Sequence, residues 1–230
     1  MNLRKGWESK MFEKGKYGIG EFFYDISHGI VLLIGGIRVP RKYDIEGKPF
    51  KNTIKDSGMI IVANHVSYED PWFYSAVFSN RRMFYLASEL FMKNKVKAFL
   101  CRGAGCIEIN RQAVDIEAIR NSTAVLKNGK ALLVFPEGYV NRGVDTDLSE
   151  IKGGAILLAS QADVPIVPCY SLKQKHWYNR RVVVVGKPFN VRDYTSKKFM
   201  SVAEMDNLAN SLLEHINELR RVYEKIMEGK

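Results

Sequence analysis

Apolar and polar positions along the chain follow two rhythms. Short apolar runs occupy residues 59–63, 83–87, 131–135 and, with prolines near its ends, 164–170, and four valines follow Arg181. Runs of this length predict strands, and the unbroken 59–63 suits one buried on both faces. Elsewhere apolar residues recur every three or four positions, as Ile116, Ile119, Thr123 and Leu126 do within 112–128. Met205, Leu208, Leu212, Ile216, Leu219, Tyr223 and Ile226 form a longer stripe of the same period. Such stripes predict helices packed on a core or an interface. Gly129 is a stop signal for the first, and Ser201-x-x-Glu204 is a capping box that opens the last. Residues 89–100, and a segment opening at Lys152, read as further helices. Strands and helices alternate, which predicts an α/β fold: a single domain with a largely buried mixed sheet flanked by helices.

The first forty residues break both rhythms. Arg4, Lys5, Lys10, Lys14 and Lys16 surround Trp7, Met11 and Phe12, and a greasy stretch over 17–37 follows. The charged region is too long for a signal peptide and no small-residue cleavage site follows it. The uninterrupted apolar part, 29–37, falls short of the roughly 20 residues that a spanning helix needs, and Glu21, Asp25 and His28 precede it. Basic and aromatic residues ahead of a short apolar segment predict a helical element lying in one leaflet, held by anionic headgroups. The other reading is a core helix packed on the sheet. The expected division is a membrane-associating segment over 1–40 and a folded domain over 41–230.

Charge changes the picture more than composition does. With 46% hydrophobic and 26% charged residues the chain is an ordinary folded protein, but its net charge is +10. That excess points to an anionic partner: nucleic acid, an acidic membrane surface, or a phosphorylated or carrier-bound substrate. No nucleic-acid motif accompanies it, and the basic residues gather beside apolar segments. Three cysteines, Cys101, Cys106 and Cys169, cannot all pair, and none has a metal-ligand spacing. Reduced thiols and no metal are the simplest reading.

The candidate chemistry sits where strands end. Asn64 and His65 follow the 59–63 run directly, and in open α/β sheets the carboxyl ends of strands are where ligands bind. An imidazole placed there can take and return a proton near neutral pH. Asp70 lies five residues on, and Ser67, Glu69 and Pro71 write a turn between the two. Asp70 reads as the N-cap of a helix through 72–78, or as a carboxylate turned back to orient the imidazole. Arg111 ends a strand, Glu137 and Gly138 end another, and Lys152 opens a helix. Singly, Arg111 and Lys152 read as surface ion-pairing residues and Glu137 as a turn-stabilising carboxylate. Side by side they make a basic, glycine-lined floor able to hold a phosphate.

Four blocks in order, Asn64-His65-x-x-x-x-Asp70, Gly105-x-Ile107-x-Ile-Asn110-Arg111, Phe135-Pro136-Glu137-Gly138 and Val164-Pro165-Ile-Val-Pro168, resemble the motifs of the glycerolipid acyltransferases. The likeness runs from about Met59 to Tyr170 and is nearest to the bacterial 1-acyl-sn-glycerol-3-phosphate acyltransferases. It implies an acyltransferase domain, a membrane-facing amino terminus on the cytoplasmic face of the cell membrane, and no cofactor. The co-substrate would be a thioester on coenzyme A or acyl carrier protein, and the acceptor a lysophospholipid. The resemblance makes His65 the general base and Asp70 its orienter, with Asn64, Arg111, Glu137, Gly138 and Lys152 about the acceptor's glycerol phosphate. Two departures bear on the headgroup. The lysine usual before Glu89-Leu90-Phe91 is replaced by Ala87-Ser88, and the usual Thr-Arg after Glu-Gly is Tyr139-Val140, which leaves Arg142 as the candidate substitute. Rival readings are another acceptor (glycerol 3-phosphate or a lyso-aminolipid), a hydrolase using His65 towards water, and a basic nucleic-acid-binding protein.

Overall fold

A computed structural model describes residues 25–26, 29, 40–51, 57–110, 114–141, 151–173, 180–197 and 200–229. In chain order these form β1 (Arg41–Asp44), β2 (Met59–Ala63), α1 (Asp70–Val77), β3 (Met83–Ser88), a 3-10 turn (Glu89–Met92), α2 (Lys95–Gly103), β4 (Cys106–Ile109) and α3 (Ile116–Lys127). Then come β5 (Ala131–Val134), α4 (Gly154–Ala162), β6 (Ile166–Tyr170), β7 (Val182–Val185), a 3-10 turn (Val191–Asp193) and α5 (Val202–Glu228). The seven strands make one sheet in the order β1-β7-β6-β2-β5-β3-β4, with β2 at its centre. Strands β6, β2, β5, β3 and β4 run parallel. β7 is antiparallel to β6, and β1 follows the direction of β7. This is a single α/β domain with a mixed sheet.

The unbroken run of β2 is buried at all five positions because both faces of the sheet are covered. Met59, Ile61 and Ala63 pack on Phe73, Tyr74 and Val77 of α1 and on Phe78 just after it. Ile60 and Val62 point the other way, into a core shared with α3, α4 and α5. The long stripe of α5 seals that second face with Leu212, Ile216 and Leu219, all fully buried. Truncating one of them to Ala would cost about 2–5 kcal/mol. Entry into β2 needs a glycine: a Cβ on Gly58 would lie 2.0 Å from the Leu126 carbonyl oxygen at the end of α3.

Three expectations change. The helix read over 89–100 is a 3-10 turn followed by α2, since Asn94 accepts the Val96 N–H (3.0 Å) and restarts the helix. α3 begins at Ile116, where the Asp115 side chain accepts the Ala118 N–H. β1 carries no apolar run and had no sequence signal; it is a sheet edge, paired only with β7. Arg111, Arg142 and nearly all of the 1–40 segment lie outside the described residues. Within that segment, Asp25 binds Arg82 at 2.8 and 3.1 Å. Among the described residues no helix is long and apolar enough to cross a membrane.

Candidate active site

β2 delivers Asn64 and His65 to the carboxyl edge in the middle of the sheet. Asn64 is fully buried, and its amide donates to the Ser171 carbonyl (2.9 Å) while accepting the Ser171 N–H (3.1 Å). The side chain read as a substrate contact thus ties the ends of β2 and β6 together. The His65 ring stacks on Phe135, centroids 4.0 Å apart and planes 10° from parallel. Its backbone is laced into the loop after β5: the His65 N–H donates to Glu137 Oε1 (3.0 Å), and its carbonyl accepts the Asn141 N–H (2.7 Å). That loop turns through Gly138, whose N–H bonds the Phe135 carbonyl and whose φ of 75° suits a residue without Cβ.

Asp70 is brought back onto the imidazole. Its Oδ2 lies 2.9 Å from His65 Nδ1 and also accepts the N–H groups of Val66 (2.7 Å) and Ser67 (2.8 Å). The capping reading therefore fails: Asp70 is the first helical residue, the cap position belongs to Glu69, and the carboxylate bonds the turn upstream. Burial alone would push the Asp70 carboxyl up. The bond to His65, the charge of Arg181 and the Ser67 N–H outweigh it and hold the group below the usual range. An ionised carboxylate on Nδ1 favours the tautomer with its proton there, leaving Nε2 as the acceptor. His65 is 15% exposed and Asp70 0%, so the imidazole can be reached while the carboxylate behind it is sealed.

Arg181 completes the back of the site and was not singled out from the sequence. Because β7 runs against β6, its amino end lies beside the carboxyl ends of β6 and β2. Arg181 donates Nη1–H to Asp70 Oδ1 (2.6 Å) and Nε–H to Ser171 Oγ (2.9 Å), with its guanidinium 4.0 Å above the Phe73 ring. A lone arginine before four valines was the available signal; only strand direction says where it points.

The other expected residues are less tightly held. Burial raises the Glu137 carboxyl, opposed by its bonds from the His65 backbone and Asn141. Lys152 is exposed two residues ahead of α4, and Tyr139 is 63% exposed. Cys106 has its thiol pushed well up by its bond with Cys101 and by burial, which makes it a poor nucleophile. Among the described residues no cluster of three or more His, Cys, Asp or Glu could hold a metal.

A family model for acyltransferases matches residues 44–172, spanning the His65–Asp70 turn and the Glu137 loop. The chain is 26% identical to a 1-acyl-sn-glycerol-3-phosphate acyltransferase of Streptococcus pneumoniae over 208 residues, 86% of this chain and 73% of that protein. It is 22% identical to the Bacillus subtilis protein of the same name, over 86% of this chain and 94% of that one. Its fold resembles the crystal structure of the 1-acyl-sn-glycerophosphate (LPA) acyltransferase PlsC from Thermotoga maritima, with a TM-score of 0.58 at 17% identity, covering 96% of this chain and 88% of that one. Matched over more than half of its length, the chain belongs to the acyltransferase family.

Proposed function

We propose that the protein transfers a fatty acyl group from a thioester, on coenzyme A or acyl carrier protein, to the free hydroxyl of 1-acyl-sn-glycerol 3-phosphate. The product is phosphatidic acid. The observation that carries this reading is the 2.9 Å contact of His65 Nδ1 with a buried, ionised Asp70 at the carboxyl edge. His65 Nε2 takes the hydroxyl proton as the acceptor oxygen attacks the thioester carbonyl, and Asp70 stabilises the imidazolium. The tetrahedral intermediate collapses with loss of the thiolate, which receives the proton back. No acyl-enzyme is required. Arg111, Arg142 and Lys152, with Glu137 and Gly138, are assigned to the glycerol phosphate, and Asn64 to the wall behind it.

An apolar rim supports a lipid acceptor. Tyr68, Trp72, Val114, Ile116 and Tyr139 are exposed, and all lie in loops or first helical turns that follow the carboxyl ends of β2, β4 and β5. That rim, on a chain whose net charge is +10, suits an anionic bilayer from which the acceptor arrives, at the cytoplasmic face. The replaced cations at Ala87-Ser88 and Tyr139-Val140 favour a second reading, in which the same chemistry acts on another lysolipid or on glycerol 3-phosphate.

His65→Ala should lower kcat by about 10³-fold or more while leaving the melting temperature and binding to anionic vesicles intact. Cys106→Ala should retain full activity. Product analysis by mass, with a panel of lysolipid acceptors and both thioester donors, identifies the substrate. Undiminished turnover in His65→Ala would refute the mechanism, and free fatty acid in place of acylated lipid would mark a hydrolase.

A further inference from the structure

The two oxygens of Asp70 do different work. Three N–H donors converge on Oδ2, and Oδ1 is left to the guanidinium of Arg181. The guanidinium is itself fixed on three sides, by Asp70, by Ser171 Oγ and by the Phe73 ring. Ser171 also donates Oγ–H to the Val182 carbonyl (2.6 Å), and its backbone is gripped by Asn64, the residue before His65. The contacts therefore close a ring: His65, Asp70, Arg181, Ser171, Asn64 and back along the chain to His65. A buried ion pair is a weak source of stability, since packed apolar side chains often serve as well. What such a ring supplies is orientation.

We propose that Arg181 is the positioning residue of the site: it fixes which carboxylate oxygen meets the imidazole and offsets part of the carboxylate's charge. This deepens the acyl-transfer reading and rests on it. The titratable groups facing the pair are Tyr74 from α1 and Glu137 from the loop after β5, and Cys169 of β6 lies beside Tyr74. Burial pushes the Tyr74 phenol and the Cys169 thiol well up, so both stay neutral at working pH. Glu137 is the neighbour with a carboxyl raised by burial, and Glu137→Gln serves as the control for its own titration.

The experiment measures kcat and KM for lysophosphatidic acid from about pH 5 to pH 8 in the full-length protein and its variants. Arg181→Met keeps the length and loses the charge. It should lower kcat about tenfold or more, leave KM within about twofold, and move the acid limb of the kcat/KM profile up by about one pH unit. The limb moves up because a carboxylate freed of its cation stabilises the imidazolium more strongly. Arg181→Lys should hold the limb in place yet recover only part of kcat, because an ammonium lacks the fork that reaches both Asp70 and Ser171. An unmoved limb in Arg181→Met overturns the proposal, as does wild-type kcat in Arg181→Lys. The second result decides the matter if Arg181→Met does not fold. His65→Ala separates the two levels. Turnover persisting there removes the base mechanism itself, whereas an inactive His65→Ala beside an unmoved limb in Arg181→Met removes only the role of Arg181.

Discussion

The two flanks of His65 are built on opposite terms. Towards β6 and β7, Asn64, Asp70 and Ser171 are fully buried, Arg181 is largely so, and hydrogen bonds link the four. Towards β5 and β3, Glu137 and Ser88 are only half-buried and Tyr139 is exposed. Buried polar groups must be satisfied or the fold loses stability, so on the first flank sequence is fixed jointly by folding and by chemistry. On the second, water can satisfy whatever residue is present. Here Ala87-Ser88 and Tyr139-Val140 stand where the family pattern has cations. On the proposed acyl-transfer reading, headgroup preference would change on this flank without disturbing His65.

Asp70→Asn attacks the sealed flank and should have the largest effect. An amide cannot fix the same tautomer, so kcat should fall about 10³- to 10⁴-fold. Arg181, left buried without its counter-charge, should also destabilise the fold by about 3–5 kcal/mol, read from urea midpoints. Loss of activity at unchanged stability would show that the flank is not a shared structural and catalytic unit.

The pH dependence of stability separates the flanks by sign. The carboxyl of Asp70 is depressed in the folded state. Its contribution is complete above the ordinary Asp value of about 4 and drains away as pH falls through the lower folded value. Glu137 is raised by burial, so its ionised form disfavours the fold, and stability gains slightly as pH falls towards the ordinary Glu value. Thermal melts should rise slightly as pH falls towards the ordinary Glu value of about 4.3, then drop below about pH 4. Glu137→Gln should abolish the rise and keep the drop. The smallest effect belongs to the open flank: Tyr139→Arg should lower KM for a phosphate-bearing acceptor by about fivefold or less, with kcat and melting temperature unchanged. A large stability change from that substitution would erase the distinction.

Legibility in the sequence followed the same division between local and distant. β2, the turn after it and the capping box of α5 are written in adjacent residues, and all three appear. Asp70 left two readings open because cap and orienter demand the same residue before the same proline; the upstream N–H groups of Val66 and Ser67 exclude the cap, and the contact with Nδ1 puts the carboxylate on the imidazole. Arg181 and Ser171 were not legible. Their place depends on β7 reversing against β6, a fact about pairing direction that no window of neighbouring residues contains. β1 escaped notice because an edge strand can be polar.

The reversal of β7 also imposes an order of assembly. Arg181 stands 111 residues downstream of the carboxylate it neutralises, and Asn64 grips a partner 107 residues away. Closing loops of that span is slow compared with winding helices. A refolding chain should therefore gain its helices while its acid is still without a counter-ion, and the completed His65–Asp70–Arg181 arrangement should be among the last features it acquires.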